Sequence, residues 1–429
     1  MRIKISTIII LVLSFGACEA SFTPLSWTTS ENVKVYFKPA KEIPMVDIRM
    51  VFSAGSIRDE KKLGVANMTN QMLLEGSGAL NALQFKDKVA SLGASFSVGS
   101  LREMAYINLR TLSDDDYFQS SVNLMLSAVT EPLFAQDEID VVRKRNLLKL
   151  KINEQSLSKQ ANKSVWSHLY ENHSYGNPPL GEEKYIKKIT KDDLRKFHEK
   201  FYVAENLVLV IVGDIEEKEV RRLASTLSSK LKRGQRPSPV NSVPTLKATT
   251  LELGRPSKQS HIRIASIGMR RNDDDYFPLL IGNHAFGGNS LVSILFREVR
   301  SKRGLSYSTY SYFLPMEQFG PMVVGMQTDS GKKEEALKLL RSLFERFTKE
   351  GPTQREFALA KSNLINGFVT RIDSNRKVTE YLAMIGYYGL PLDYLENFEK
   401  NIEEVTLKQV KDALNRRLSD DYLTVVVGS

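Results

Sequence analysis

A single cysteine, Cys18, stands in the 429 residues, close to the N-terminus. The remainder of the chain therefore holds no disulfide, no thiol nucleophile and no cysteine-built metal site. Histidine is scarce too. His168, His173, His198, His261 and His284 are never three or four apart, so no helix face offers a pair of imidazoles to zinc. Each isolated histidine reads as structural: His173 in a Gly/Pro-rich turn, His168 and His198 at the surface or edge of amphipathic helices. A serine nucleophile is no better supported. No G-x-S-x-G occurs, and "FGGNS" runs on into a helix instead of following a strand. Charge is not segregated by sign: 60 Lys and Arg against 50 Asp and Glu give +10, scattered and without interleaved aromatics. That argues against a nucleic-acid surface.

Long apolar runs are missing as well, apart from residues 8–15, which follow Arg2 and Lys4. The run is short for a bilayer span and has the layout of a secretory signal ending in small residues. Residues 1–20 are read as a signal peptide cleaved after Ala20, with lipid attachment at Cys18 as the alternative. Export across an inner membrane follows, to a periplasmic or membrane-anchored location, because a secreted chain without disulfides suits a bacterial envelope.

What is present is a globular composition, 42% hydrophobic and 26% charged, over a length that calls for two domains. Short β-rich runs alternate with long amphipathic segments, which predicts an α+β fold. Strands are expected at 33–38, 45–55, 94–100 and 103–111, and helices at 63–75, at 81–92 and from about 114 and 136. The Pro- and charge-rich stretch 232–247 reads as a linker between domains 21–231 and 248–429.

The two halves echo each other. "ITKDDLRKFHEKFYVAENLVLVIVGD" closes the first and "VTLKQVKDALNRRLSDDYLTVVVGS" the second. In both a Thr (Thr190, Thr406) caps a helix, with Asp193 or Gln409 placed to bond back, and the helix leads into a β-branched strand stopped by Gly. The acid runs "SDDDYF" and "NDDDYF" precede apolar helices, where Ser or Asn caps and acids suit the helix dipole. Two copies of one domain, each a mostly antiparallel sheet covered by helices, are predicted.

Two stretches bear on function. "GVANMTNQMLLEGSGAL", 64–80, has the rhythm of a buried helix packing through Val65, Ala66, Met68, Met72 and Leu73, yet one flank is Asn67, Asn70 and Gln71. "AFGGNSLVSILFREVRSKRGLSYSTYSYF", 285–313, predicts a helix capped by Asn289 or Ser290. That helix turns Leu291, Ile294, Leu295 and Val299 to the core and stops at Gly304. A strand opening at Tyr307 follows. Arg300 and Tyr307 then flank one turn as two donors able to converge on a carbonyl oxygen. The same residues also suit a helix C-terminus and ordinary strand packing.

"FREVRSKRGLSYSTYS", the Gly-Gly before it, the "HSYGNPPLG" loop, the "VGD" ending and the duplicated domains resemble the pitrilysin/insulinase family of zinc metallopeptidases. The resemblance covers nearly the whole chain from about residue 30. It implies a tandem of homologous α+β domains. The family's His-x-x-Glu-His would fall on Asn67, Asn70 and Gln71, and its later glutamate ligand within "RNLLKLK", 145–151, which has no acid. Neutral amides supply neither zinc donors nor a base for the attacking water. Arg300 and Tyr307 match the family's substrate-holding Arg/Tyr pair in type and spacing. The resemblance is to the metal-free subunit of short two-chain bacterial members. This chain would bind no cofactor, Zn2+ would belong to a homologous partner subunit, and a peptide would be the shared substrate. The rival expectation is an inactive peptide-binding or scaffold protein of the same fold.

Overall fold

The computed structural model describes residues 23–418 and 421–429. The signal segment and Cys18 lie outside them. Two sheets organise the chain. The first contains β1 (Leu25–Thr28), β2 (Lys34–Pro39), β3 (Met45–Phe52), β4 (Ser95–Ser100), β5 (Ala105–Leu112) and β6 (Leu207–Gly213), in the order β1-β2-β6-β3-β5-β4. The second contains β7 (Thr249–Gly254), β8 (Gln259–Ile267), β9 (Thr309–Phe313), β10 (Pro321–Asp329) and β11 (Leu423–Gly428), in the order β7-β11-β8-β10-β9. Setting β1 aside, the topologies coincide. In each sheet the last strand of the half inserts centrally, parallel to one neighbour and antiparallel to the other. Both sheets are covered by helices, so the α+β reading with two sheets holds.

The strand chemistry follows position. β6, "LVLVIVG", is buried at every residue because both of its faces are covered, hence the unbroken apolar run. β5 alternates instead: Ala105, Ile107, Leu109 and Thr111 face the core, while Tyr106, Asn108 and Arg110 face away. The repeated helix starts form as their sequences require. Thr190 with Asp193, and Thr406 with Gln409, each make a reciprocal capping box. The acid runs are helix starts, but Asp114 caps the first, and Asp275 stands at the cap of the second. Asp273 and Asp275 are gripped by Arg417 and Arg416, which leaves them no spare charge for a cation.

Each half lends a helix to the other. The first-half helix Leu157–Leu169 places Ala161, Val165 and Leu169 in one buried cluster with Ala265, Leu423 and Val425 of the second sheet. The second-half helix Asn375–Tyr388 buries Leu382 and Ile385 with Tyr36, Val208 and Val210 of the first. Its Gly386 comes so close that an added Cβ would sit 2.5 Å from the Tyr36 ring and 2.6 Å from Val208 Cγ1. This exchange fixes the two sheets relative to one another.

A buried carboxylate ties the same seam. Glu103, 2% exposed, accepts from the Tyr175 hydroxyl, from the Tyr388 hydroxyl at 2.6 Å and from the backbone N–H of Glu317 at 2.8 Å. Tyr387 donates to the Glu103 carbonyl oxygen at 3.0 Å. Beside it, Arg102 lies over the Trp166 ring at 3.3 Å and donates to the Tyr175 carbonyl at 2.9 Å. Burial raises the Glu103 pKa and lowers that of Arg102 to about 9.

Candidate functional site

The helix Val65–Met72 starts at Gly64, whose φ of +105° is open to glycine and costly for a residue with a Cβ. Asp59 takes the place of a side-chain cap, accepting from Gly64 N at 2.7 Å and Ala66 N at 2.8 Å. Burial outweighs those two bonds and pushes its pKa up to about 7. Val65, Ala66, Met68, Met72 and Leu73 are all buried, as the periodicity predicts. That leaves the amide flank facing the long helix Gln136–Gln155.

There the side chains converge. Gln71 Nε2 donates to Asn67 Oδ1 and, at 3.2 Å, to Asn146 Oδ1, while Asn146 Nδ2 donates to Asn67 Oδ1 at 3.3 Å. Arg145 Nη2 donates to Gln71 Oε1 at 2.9 Å, which fixes the amide so that its nitrogen points inward. Asn146 is fully buried and is the residue in 145–151 that completes the constellation. The sequence reading, searching that run for an acid, passed over it. The signal was there: the fourth position had become an amide like the others. Glu75, the nearest buried acid, is bound by Lys86 at 2.6 Å and Arg145 at 3.4 Å.

Asn70 turns away from this mesh. Its Nδ2 donates to the Tyr106 carbonyl and the Tyr202 hydroxyl, both at 3.2 Å, and its Oδ1 is buried without a partner. Tyr202 stacks on His198 with ring centroids 5.1 Å apart. His198 is not at a surface or edge: it is 7% exposed, with Nε2 donating to the Val129 carbonyl at 2.7 Å. That bond and the ring stack let the helix Lys191–Phe201 bury a neutral imidazole, and burial takes its pKa down to about 4. His173 is structural, bridging Tyr175 N and the Asn241 carbonyl.

Zinc does not fit this arrangement. The side chains are neutral amides, Asn67, Gln71 and Asn146 bonded to one another and Asn70 turned aside, and none can act as a base. Among the described residues no group of three or more His, Asp or Glu is placed to hold a metal ion.

The Arg300/Tyr307 segment differs from its sequence reading in three places. Asn289 Oδ1 accepts from Leu291 N at 2.9 Å and Val292 N at 3.3 Å, so it closes a turn, not the helix. Leu291 is consequently 69% exposed, whereas Ile294, Leu295 and Val299 are buried as expected. Ser293 Oγ accepts from Phe296 N at 3.3 Å, and the chain then winds wide over Phe296–Ser301 as a π-helix. Gly304, at φ +58°, ends it as predicted. Finally, β9 opens at Thr309, because Ser306 Oγ binds both Ser308 O at 2.7 Å and Ser308 N at 3.2 Å and diverts the backbone from the ladder. Tyr307 therefore stands in a loop with 92% of its surface exposed.

Arg300 is exposed in the last π-helical turn, its guanidinium 5.4 Å from the Phe296 ring centroid. Tyr307 borders a cleft of about 380 Å³ with Gln259, Gln327, Asp329 and Lys332. Among the described residues neither Arg300 nor Tyr307 is engaged in a hydrogen bond or ion pair, so both donors are free for an outside molecule.

The fold and motif order correspond to known proteins. "Insulinase (Peptidase family M16)" matches residues 34–183 and "Peptidase M16 inactive domain" matches residues 188–364. The solved structure of a peptidase M16 inactive domain from Pseudomonas fluorescens superposes with a TM-score of 0.91 at 35% identity, covering 94% of this chain and 97% of that one. A protease from Helicobacter pylori shares the fold, with a TM-score of 0.87 at 19% identity over 94% of this chain and 99% of its own. A Helicobacter pylori protein named non-peptidase homolog YmxG is 25% identical over 98% of both chains. The chain belongs to the M16 peptidase family.

Proposed function

We propose that this protein is the non-metal subunit of a two-chain zinc peptidase of the bacterial envelope. The observation that carries the proposal is a pairing of opposites. At the positions matching the zinc motif stand neutral amides, Asn67 and Gln71 meshed with Asn146 and Asn70 turned aside, while Arg300 and Tyr307 stand ready with unused donors. The match to an inactive M16 domain and the likeness to a non-peptidase homolog support a chain that is inactive by itself.

In this reading a homologous partner subunit with an intact His-x-x-Glu-His contributes zinc, base and water, and the two chains enclose a peptide. Arg300 holds the carbonyl of the peptide by its planar donor fork. Tyr307 donates its phenolic proton to the same oxygen as negative charge develops there, a contact that strengthens toward the transition state and so accelerates the reaction. On this reading residues 1–20 act as an export signal, and the pair works in the periplasm, or on the membrane if Cys18 carries lipid.

Co-purification from native envelope extract, followed by peptide-cleavage assays of each chain and of the mixture, tests this. A homologous chain bearing the zinc motif is expected to co-purify, and cleavage is expected only in the mixture. Tyr307→Phe should lower turnover of the pair by roughly 10–1000-fold, the range for one lost oxyanion donor. Undiminished turnover would remove Tyr307 from the mechanism. Absence of any such partner would favour the second reading, an inactive peptide-binding or scaffold protein.

A further inference from the structure

Away from both sites, a cleft of about 370 Å³ opens at the seam between the halves, lined by Arg236, Arg270, Arg271, Asn272, Glu317 and Tyr388. Its three guanidiniums come from two distant stretches. Arg236 lies in the segment joining the halves, and Arg270 and Arg271 lie just beyond β8. Among the described residues none of the three is in a salt bridge. The one carboxylate on the wall, Glu317, accepts from Val240 N through Oε1 at 2.9 Å, and one negative charge leaves the three guanidiniums with a positive excess. The neighbouring acids Asp273 and Asp275 are taken by Arg416 and Arg417.

The arginines are also held in place. Arg270 lies 4.7 Å from the Phe319 ring centroid, and Arg271 lies between Tyr388 and Tyr276 at 5.3 and 5.9 Å. Arg236 donates to the Tyr387 carbonyl at 3.3 Å. The backbone beneath is pinned, with Arg271 N donating to the Met316 carbonyl at 2.7 Å. Arg271 Nε, shut off from solvent, has no acceptor at all. Fixed like charges around one concavity define a preorganised receptor for an oxyanion. The volume suits a small molecule rather than a water or a halide.

We propose that this seam cleft binds a small oxyanion carrying two or more negative charges, as phosphoryl or clustered carboxylate groups, held chiefly by Arg236 and Arg271. The assignment does not depend on the peptidase reading. Titration calorimetry of the full-length chain at low salt, with inorganic phosphate in one arm and citrate in the other, separates the two sources. Saturable one-site binding of either probe is expected. Arg271→Gln and Arg236→Gln should each weaken it about tenfold or more, the cost of a lost charged hydrogen bond. Arg195→Gln, on an exposed helix face elsewhere, should bind as the parent does. Should Arg271→Gln fail to fold, as judged by its circular-dichroism melt, the exposed Arg236 variant carries the test. Binding of neither probe overturns the proposal. So does unchanged affinity in the Arg236 variant, or an equal loss in Arg195→Gln, which would reduce the effect to net charge.

Discussion

Glu103 offers a quantitative handle on how the two halves hold together. Replacing it with alanine would strand three buried donors: the hydroxyls of Tyr175 and Tyr388 and the Glu317 N–H. Each buried unpaired donor costs about 1–3 kcal/mol, and relief of a desolvated carboxylate offsets part of that, so Glu103→Ala should cost about 3–5 kcal/mol. Glu103→Gln keeps the shape and one oxygen, and the Tyr388 hydroxyl can rotate to accept from the new amide. Its cost should stay near about 1 kcal/mol. The pH dependence has a definite sign. Burial raises the folded-state pKa of Glu103, so its contribution is complete below the unfolded carboxyl value and is lost as pH rises through the folded one. Glutamine does not titrate, so Glu103→Gln should gain on the parent as pH rises above the unfolded carboxyl value. Urea melts followed by tryptophan emission are apt, because Trp166 packs at this seam and Trp27 lies on β1 of the first sheet. The alanine variant should show the Trp166 environment opening before global unfolding. A single transition within about 0.5 kcal/mol of the parent, the range of ordinary surface changes, would refute this view of the seam.

Buried packing elsewhere in the fold can be probed in the same way. His198 is held neutral, so the stability it supports is intact above its unfolded pKa of 6.5 and is lost as pH falls toward about 4. Across that window the parent should lose about 3 kcal/mol relative to His198→Gln in paired melts, and parallel curves would contradict the buried neutral assignment. Gly386→Ala should destabilise by about 1–3 kcal/mol through overpacking on Tyr36 and Val208; a melting temperature equal to the parent's would show that the exchanged helix can shift.

Much of the architecture was legible because its signals are local. β6 and β11 are β-branched runs, the Thr190 and Thr406 boxes are short-range, and the duplication repeats them in order. The neutral amides Asn67, Asn70 and Gln71 were equally plain in the sequence. What escaped the sequence depends on contacts between distant segments or on small polar side chains competing for the backbone. Glu103 meets Tyr388, 285 residues away, and no periodicity announces that. Ser306 and Asn289 bind nearby backbone groups and so displace a strand start and a helix start that apolar spacing had placed earlier. As a result the Ser306 turn puts Tyr307 in the open instead of against a sheet.

The central claim is that this chain carries no zinc chemistry of its own. Equilibrium titration of the purified full-length protein with zinc, with bound metal counted and a peptide-cleavage assay run on the same sample, tests it most directly. The account predicts no stoichiometric zinc and no cleavage. One tightly held zinc per chain, with hydrolysis that needs no second polypeptide, would contradict it.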